Sequence, residues 1–234
     1  MIYVTSDLHG CYDKFMRLLK MIGLKADDTL YILGDLVDRG PENADTVIAA
    51  ASRKNIRVLM GNHDYLASLM IQIFCMDDGP EDPETLRAKA PELWDIREMW
   101  LSDGGEATRA EIMRQPRQVR DVIRRFLGRQ PVFEEITVNG QTYHLSHSVP
   151  GREKLLDTEH WDLSDFLFGR PEYDKVYFPD KILVTGHTPT GLIDEASAGR
   201  IWKKNNHIAV DCGAVFGGPL GCICLDTGEE FYAE

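Results

Sequence analysis

Five short clusters of polar residues hold the chemistry this chain can offer: Asp7 and His9, Asp35 and Asp38, Asn62 and His63, His147, and His187. Carboxylate oxygen, amide oxygen and neutral imidazole together form a ligand set for two divalent transition metals, and no cysteine stands among them. One aspartate, best Asp35, can bridge both ions. These histidines sit beside glycine, asparagine or serine, whereas a core histidine usually sits within a strand. His144, His160 and His207 lack that context and receive no role.

Each cluster follows an apolar run. Asp35 and Asp38 lie in Gly34-Asp35-Leu36-Val37-Asp38-Arg39-Gly40, directly after Leu30-Tyr31-Ile32-Leu33. Carboxylates at the end of a buried strand must be solvated, paired or metal-bound, because an isolated buried charge is too costly. For one such loop, an exposed turn with two incidental acids would be the simpler account. Recurrence at four more strand ends favours a shared rim of active groups.

The positioning elements follow from periodicity. Ile2 to Thr5 predicts a first strand, and a helix with Phe15, Leu18, Leu19 and Ile22 on one face closes at Gly23. After the second strand, Pro41 opens a helix whose buried stripe is Ala44, Val47, Ile48 and Ala51, and Ile56 to Met60 is the third strand. From Tyr65 to about Gly128 the strand-helix rhythm stops. Leu66, Leu69, Met70 and Ile73 continue one helix, Asp77 to Pro83 is an acidic loop, and helical segments are expected near Glu84 to Trp100 and Glu106 to Leu127. We expect a helical insertion at about residues 65–130, capping a sheet edge. Its arginines, from Arg114 to Arg129, interleave with Glu111 and Asp121 and predict a solvated face.

The second half is strand-rich. Val132 to Val138, an Asn139-Gly140 turn and Gln141 to His147 predict a hairpin. Lys181 to Thr185, His207 to Asp211 and Leu220 to Leu225 add strands before a short terminal one. The expected fold class is α/β, an α+β sandwich of two mixed sheets flanked by helices, in a single domain over 1–234.

Composition sets the outer bounds. A chain of 234 residues with 43% hydrophobic and 27% charged residues can bury one good core. A net charge of -12 argues against broad binding to nucleic acid or anionic membrane, which need a positive field. A phosphorylated substrate stays open, since metal ions and a few cations can reverse the potential locally. The 5 cysteines are expected to be reduced, with Cys222 and Cys224 on one strand face as a weak zinc signal. No signal peptide or membrane-length apolar run is evident, so the expected location is cytoplasmic.

Asp7-Leu8-His9-Gly10, Gly34 to Gly40, Gly61-Asn62-His63-Asp64, Ser146-His147 and Gly186-His187-Thr188 resemble, in order, the motif set of the calcineurin-like metallophosphoesterases. More narrowly they resemble the bacterial and phage branch of the phosphoprotein phosphatases, whose terminal motif is similar to Asp211 through Gly218. Three departures stand out: Ser6 replaces a glycine, His147 is followed by Ser148-Val149, and Asp64 replaces the glutamate of eukaryotic protein phosphatases.

The resemblance implies that Asp7, His9 and Asp35 hold one metal, and that Asp35, Asn62, His147 and His187 hold the other. Manganese is the first expectation, with iron, zinc or nickel also suited. It further implies in-line attack by a metal-bridging hydroxide, with His63 protonating the leaving alkoxide and Asp38 orienting His63. Arg39 and Asn62 would bind phosphate, joined by a second arginine. Arg170, in Leu167-Phe168-Gly169-Arg170-Pro171, is preferred to Arg152 for that part.

The activity so implied is a serine/threonine protein phosphatase with possible tyrosine and small-molecule promiscuity. The alternative is a symmetrical diadenosine tetraphosphatase, in which Gly-Asn-His-Asp is also typical but the aspartate matching Asp38 is usually missing. A non-catalytic scaffold is a third reading. It fits poorly with a chain that keeps His63, Asp38 and every expected ligand.

Overall fold

The structure is a computed structural model that describes residues 1–76, 83–151, 154 and 158–234. Two mixed five-stranded sheets pack face to face. In the first, β1 (Ile2–Thr5), β2 (Thr29–Ile32) and β3 (Ile56–Val58) run parallel. The antiparallel β9 (Leu220–Cys224) and β10 (Glu230–Ala233) extend it, in the order β10-β9-β1-β2-β3. The second contains β4 (Phe133–Val138), β5 (Gln141–Ser146), β6 (Lys181–Thr185), β7 (Trp202–Lys204) and β8 (His207–Ala209). Its order is β4-β5-β6-β8-β7, with β5, β6 and β8 parallel.

Period two explains why these strands read as unbroken apolar runs: both of their faces are buried. Val4, Tyr31, Leu33 and Ile223 point from the first sheet into a core shared with Tyr143, Leu145, Val184, Ile208 and Val210 of the second. Tyr3, Leu30, Ile32, Cys222 and Cys224 point the other way, against helices. There α1 (Tyr12–Ile22) buries Phe15, Leu18 and Ile22 and ends at Gly23, whose φ of 55° closes it in the left-handed conformation. α2 (Asn43–Ala51) packs beside it, burying Ala44 and Val47. All described cysteines are free thiols.

Between β3 and β4 the chain forms α3 (Asn62–Phe74), α4 (Pro83–Lys89), α5 (Pro91–Trp100), α6 (Glu106–Met113) and α7 (Arg117–Leu127). Two long segments were expected here, and proline and glycine divide them. Pro91 occupies the first position of α5 and forces Ala90 out of the helical region, Gly104 adopts φ 102° in the turn before α6, and Pro116 precedes α7. Most of the acidic loop expected at Asp77 to Pro83 lies outside the described residues. The arginines of α7 are only partly a solvated face. Arg124 and Arg125 pair with Asp121, but Arg120 donates to the carbonyls of Gln115, Met113 and Cys75 and so ties α3 to α6.

α8 (Leu163–Phe168) and the edge strand β7 have no counterpart in the sequence reading, being too short for periodicity to register. No helix among the described residues is long and apolar enough to cross a membrane.

His207 on β8 carries a measurable consequence. Its ring stacks on Tyr173 with centroids 5.1 Å apart, Nε2 meets Thr185 Oγ1 at 2.8 Å, and burial pushes its pKa from 6.5 down to about 3. Below pH 6.5 the unfolded chain therefore takes up a proton that the folded chain refuses, and stability falls until about pH 3. His207→Gln should remove this slope, worth about 3 kcal/mol by about pH 4.5. Parallel slopes for variant and parent in urea unfolding across that range would refute it.

Candidate active site

All the parallel strands deliver their carboxyl ends to one rim. Beyond β1 and β2 the two loops continue side by side, with Asp7 N donating to Gly34 O at 3.0 Å, His9 N to Asp35 O at 2.9 Å and Gly10 N to Leu36 O at 2.9 Å. On the second sheet, Gly186 N donates to His147 O at 3.1 Å. The loops leave their strands through left-handed backbone: φ is 52° at Asp7, 43° at His9, 54° at Asp35, 73° at Asp38, 67° at Arg39 and 68° at His187. That conformation is unfavourable for residues with a Cβ and persists only where surrounding contacts enforce it. Here it turns successive side chains inward. Gly61 is required by the same crowding, since a Cβ there would lie 2.1 Å from Asp35 Oδ1.

The donor chemistry fits a pair of cations. His147 Nδ1–H donates to Leu33 O at 2.7 Å, which leaves the Nε2 lone pair facing Asn62 Oδ1 at 2.9 Å, His187 Nδ1 at 3.0 Å and Asp35 Oδ2 at 3.5 Å. Lone pairs outnumber protons at this point. His9 is oriented the same way: Nδ1–H donates to Val37 O at 2.7 Å, and Nε2 lies 3.6 Å from Asp35 Oδ2. Burial, reinforced by neighbouring positive groups, holds His9 and His187 well below the usual histidine range, so both are neutral and ligand-competent. Burial pushes the Asp35 carboxyl up, a penalty that a cation would offset.

Among the described residues, side-chain ligand atoms fall within 4.8 Å of one another in two groups: His9, Asp35 and His63, and Asp35, His147 and His187. Asp35 is common to both. His63 belongs to the first by distance, but its Nδ1 is committed to Asp38. Asp7 is buried and close by yet stands outside both groups, its Oδ2 accepting the His187 backbone N–H at 2.9 Å.

His63 Nδ1–H donates to Asp38 Oδ2 at 2.8 Å. Burial alone would depress the imidazole pKa, but the Asp35 charge and the Asp38 hydrogen bond carry it to about 9. The dyad has further partners that sequence reasoning missed. Trp100 Nε1 donates to Asp38 Oδ2 at 2.9 Å, and Thr108 Oγ1 donates to Asp38 Oδ1 at 2.5 Å while accepting the Asp38 backbone N–H at 2.9 Å. No motif marks either residue: a tryptophan ending one helix and a threonine inside the next look like ordinary core.

Arg39 Nη1 donates to His9 Nε2 at 2.7 Å, Nη2 reaches Asp103 Oδ1 at 3.0 Å, and its guanidinium lies 5.5 Å from the Phe216 ring centroid. Asp103 was also missed. Its other oxygen lies 3.5 Å from His63 Nε2. Arg170 shares a cleft of about 200 Å³ with Asn62, His63, Asp103, Phe168 and His187, and donates to Thr188 Oγ1 at 3.2 Å. Arg152 lies outside the described residues.

Two more buried acids brace the rim. Asp64 accepts the backbone N–H of Leu36 at 2.9 Å and of Gly61 at 3.2 Å, locking the β2 loop to the start of α3; burial and the Asp35 charge push its pKa to about 7. Asp211 accepts Gly213 N–H at 2.9 Å, and burial with the nearby Asp7 charge drives it well above the carboxylate range.

The chain belongs to the calcineurin-like phosphoesterase family, whose pattern matches residues 1–218. The family is a dinuclear metal-dependent one, and the histidine and aspartate groups described above could hold such ions. Over 66 residues it is 50% identical to a symmetrical bis(5'-nucleosyl)-tetraphosphatase of Delftia acidovorans, covering 27% of this chain and 23% of that protein. Over 101 residues it is 36% identical to a protein of the same name from Hamiltonella defensa, covering 42% of this chain and 36% of that one. The matched stretches thus span about a quarter to a third of those relatives. The fold is similar to the crystal structure of a proposed diadenosine tetraphosphatase, with a TM-score of 0.63, 17% identity and coverage of 99% of this chain and 91% of that one.

Proposed function

We propose that this protein hydrolyses phosphate monoesters of poor leaving groups, serine and threonine phosphoesters of proteins foremost, with tyrosine and small aryl phosphates as secondary substrates. The observation that carries this reading is the His63–Asp38 pair beside the Asp35-centred ligand cluster. An alkoxide leaving group needs a proton as its bond to phosphorus breaks, and a histidine held protonated by a buried carboxylate supplies one. A nucleoside phosphate leaves as a stable anion and has far less need of an acid.

Asp7, His9 and Asp35 would hold one divalent ion, and Asp35, Asn62, His147 and His187 the other. When bound, such ions would supply Lewis-acid activation of water and charge screening of the phosphoryl oxygens, and manganese is our choice for assay. Arg39 and Arg170 bind the phosphate, Arg39 exchanging its contact with Asp103 for phosphoryl oxygen. His63 gives its Nε2 proton to the leaving oxygen, and Asp38 keeps Nδ1 protonated and the ring oriented. The products are the free hydroxyl and inorganic phosphate.

The curated relatives' names support a second reading, hydrolysis of a dinucleoside tetraphosphate on the same residues. Turnover of a phosphothreonine peptide and of diadenosine tetraphosphate, compared on metal-stripped protein reloaded with manganese, separates the two. We expect the peptide to be preferred. Preference for the dinucleotide would transfer the assignment, and turnover of neither by metal-loaded protein would refute both.

A further inference from the structure

We propose that Trp100 and Thr108 are positioning residues for proton delivery, so that α5 and α6 are working parts of the catalytic apparatus rather than a cover over it. The inference rests on the reading of His63 as the general acid. Asp38 is fully buried, and its carboxylate accepts three donors: His63 Nδ1–H at 2.8 Å, Trp100 Nε1–H at 2.9 Å and the Thr108 hydroxyl at 2.5 Å. The first stands in the opening turn of α3, just after β3, whereas the other two come from α5 and α6. Trp100 and Thr108, exposed by 1% and 0%, lie 62 and 70 residues away in sequence.

The division of labour follows from what a carboxylate demands. With His63 alone as partner, Asp38 would be a buried anion with most of its lone pairs unsatisfied, and its carboxylate could rotate away from the imidazole. Trp100 shares Oδ2 with His63, and Thr108 holds Oδ1, which fixes the carboxylate plane. Thr108 also accepts the Asp38 backbone N–H at 2.9 Å, so one hydroxyl clamps both ends of a residue held at φ 73°.

The local chain is built to bring both groups to one point. Between them runs the tight turn Leu101–Gly105, in which Gly104 takes φ 102° and a Cβ on Gly105 would lie 2.4 Å from the Trp100 indole. Gly104 O in turn accepts the Arg39 backbone N–H at 3.0 Å. A replacement that drops either donor while keeping its volume should therefore disorient His63 and leave the ligand cluster intact.

The test is a split by leaving group. Thr108→Val keeps the buried volume and removes one donor, Trp100→Phe removes the other donor but also part of the buried ring, and Thr108→Ser restores the hydroxyl. We expect kcat on a phosphothreonine peptide to fall at least about tenfold in W100F and T108V, a fraction of the full acid contribution. On 4-nitrophenyl phosphate, whose leaving group needs little protonation, it should change less than about threefold. T108S should return to the parent value, manganese stoichiometry should match the parent, and W100F and T108V should unfold at a somewhat lower temperature than the parent while remaining folded at the assay temperature.

His63→Asn run in parallel separates the two hypotheses. If H63N loses the peptide selectively while W100F and T108V do not, the positioning proposal is overturned and the acid reading stands. If H63N shows no selectivity, both fall. Equal loss on both substrates in W100F and T108V would mark Trp100 and Thr108 as structural only and would overturn the proposal.

Discussion

Asp35→Asn is expected to lower turnover by about three orders of magnitude, matching the several kcal/mol of charge stabilisation that a metal pair provides. Among the described residues Asp35 is the only carboxylate common to both ligand groups, and His9 and His187 beside it are held neutral by burial. Asparagine keeps the shape and still offers an oxygen to the His63 backbone N–H, which now donates to Asp35 Oδ1 at 3.0 Å. Loss of fold therefore should not confuse the result. Elemental analysis after dialysis should find fewer metal ions per chain than in the parent. Parental stoichiometry together with parental activity would refute the bridging role.

His63→Asn should cost about a hundredfold to ten-thousandfold in kcat on an alkyl phosphoester, the usual range for a positioned general acid. Asparagine can still donate toward Asp38, whose other two donors remain, so the carboxylate stays satisfied. Metal content should be unchanged. The loss should shrink steadily as the leaving group becomes more acidic, and a Brønsted plot of rate against leaving-group pKa should be steeper for the variant. Parallel plots would remove His63 from proton transfer.

These effects divide in the way the sequence itself divides. Asp7, Asp35, Asn62, His147 and His187 were legible because each directly follows an apolar strand, so local order along the chain mirrors spatial order along the rim. The two-sheet architecture was legible for the same reason, since strands buried on both faces read as unbroken apolar runs. Trp100, Asp103 and Thr108 were not. They reach the site through the packing of α5 and α6 against the sheet edge, and nothing in a helix pattern says which buried position faces a carboxylate some 60 to 70 residues earlier. Asp103 is 59% exposed and looked like any surface acid. The helix breaks at Pro91 and Pro116 were visible as residues but were outweighed by the continuing apolar period. α8 and β7 are held by tertiary contacts their own few residues do not encode.

The left-handed backbone at Asp7, His9, Asp35, Asp38, Arg39 and His187 bears on how such a centre can be inherited or engineered. Each of these residues is held against a conformational preference of about 1 kcal/mol or more, and the hydrogen bonds between adjacent loops are what hold it. A side-chain graft that reproduced these residues on another protein's strand ends, with ordinary right-handed or extended backbone, would aim them in other directions. The transferable unit is thus the laced loop together with its strand. Duplication and recombination can carry such a unit from one protein to another, whereas the accumulation of point substitutions on a foreign scaffold cannot assemble it.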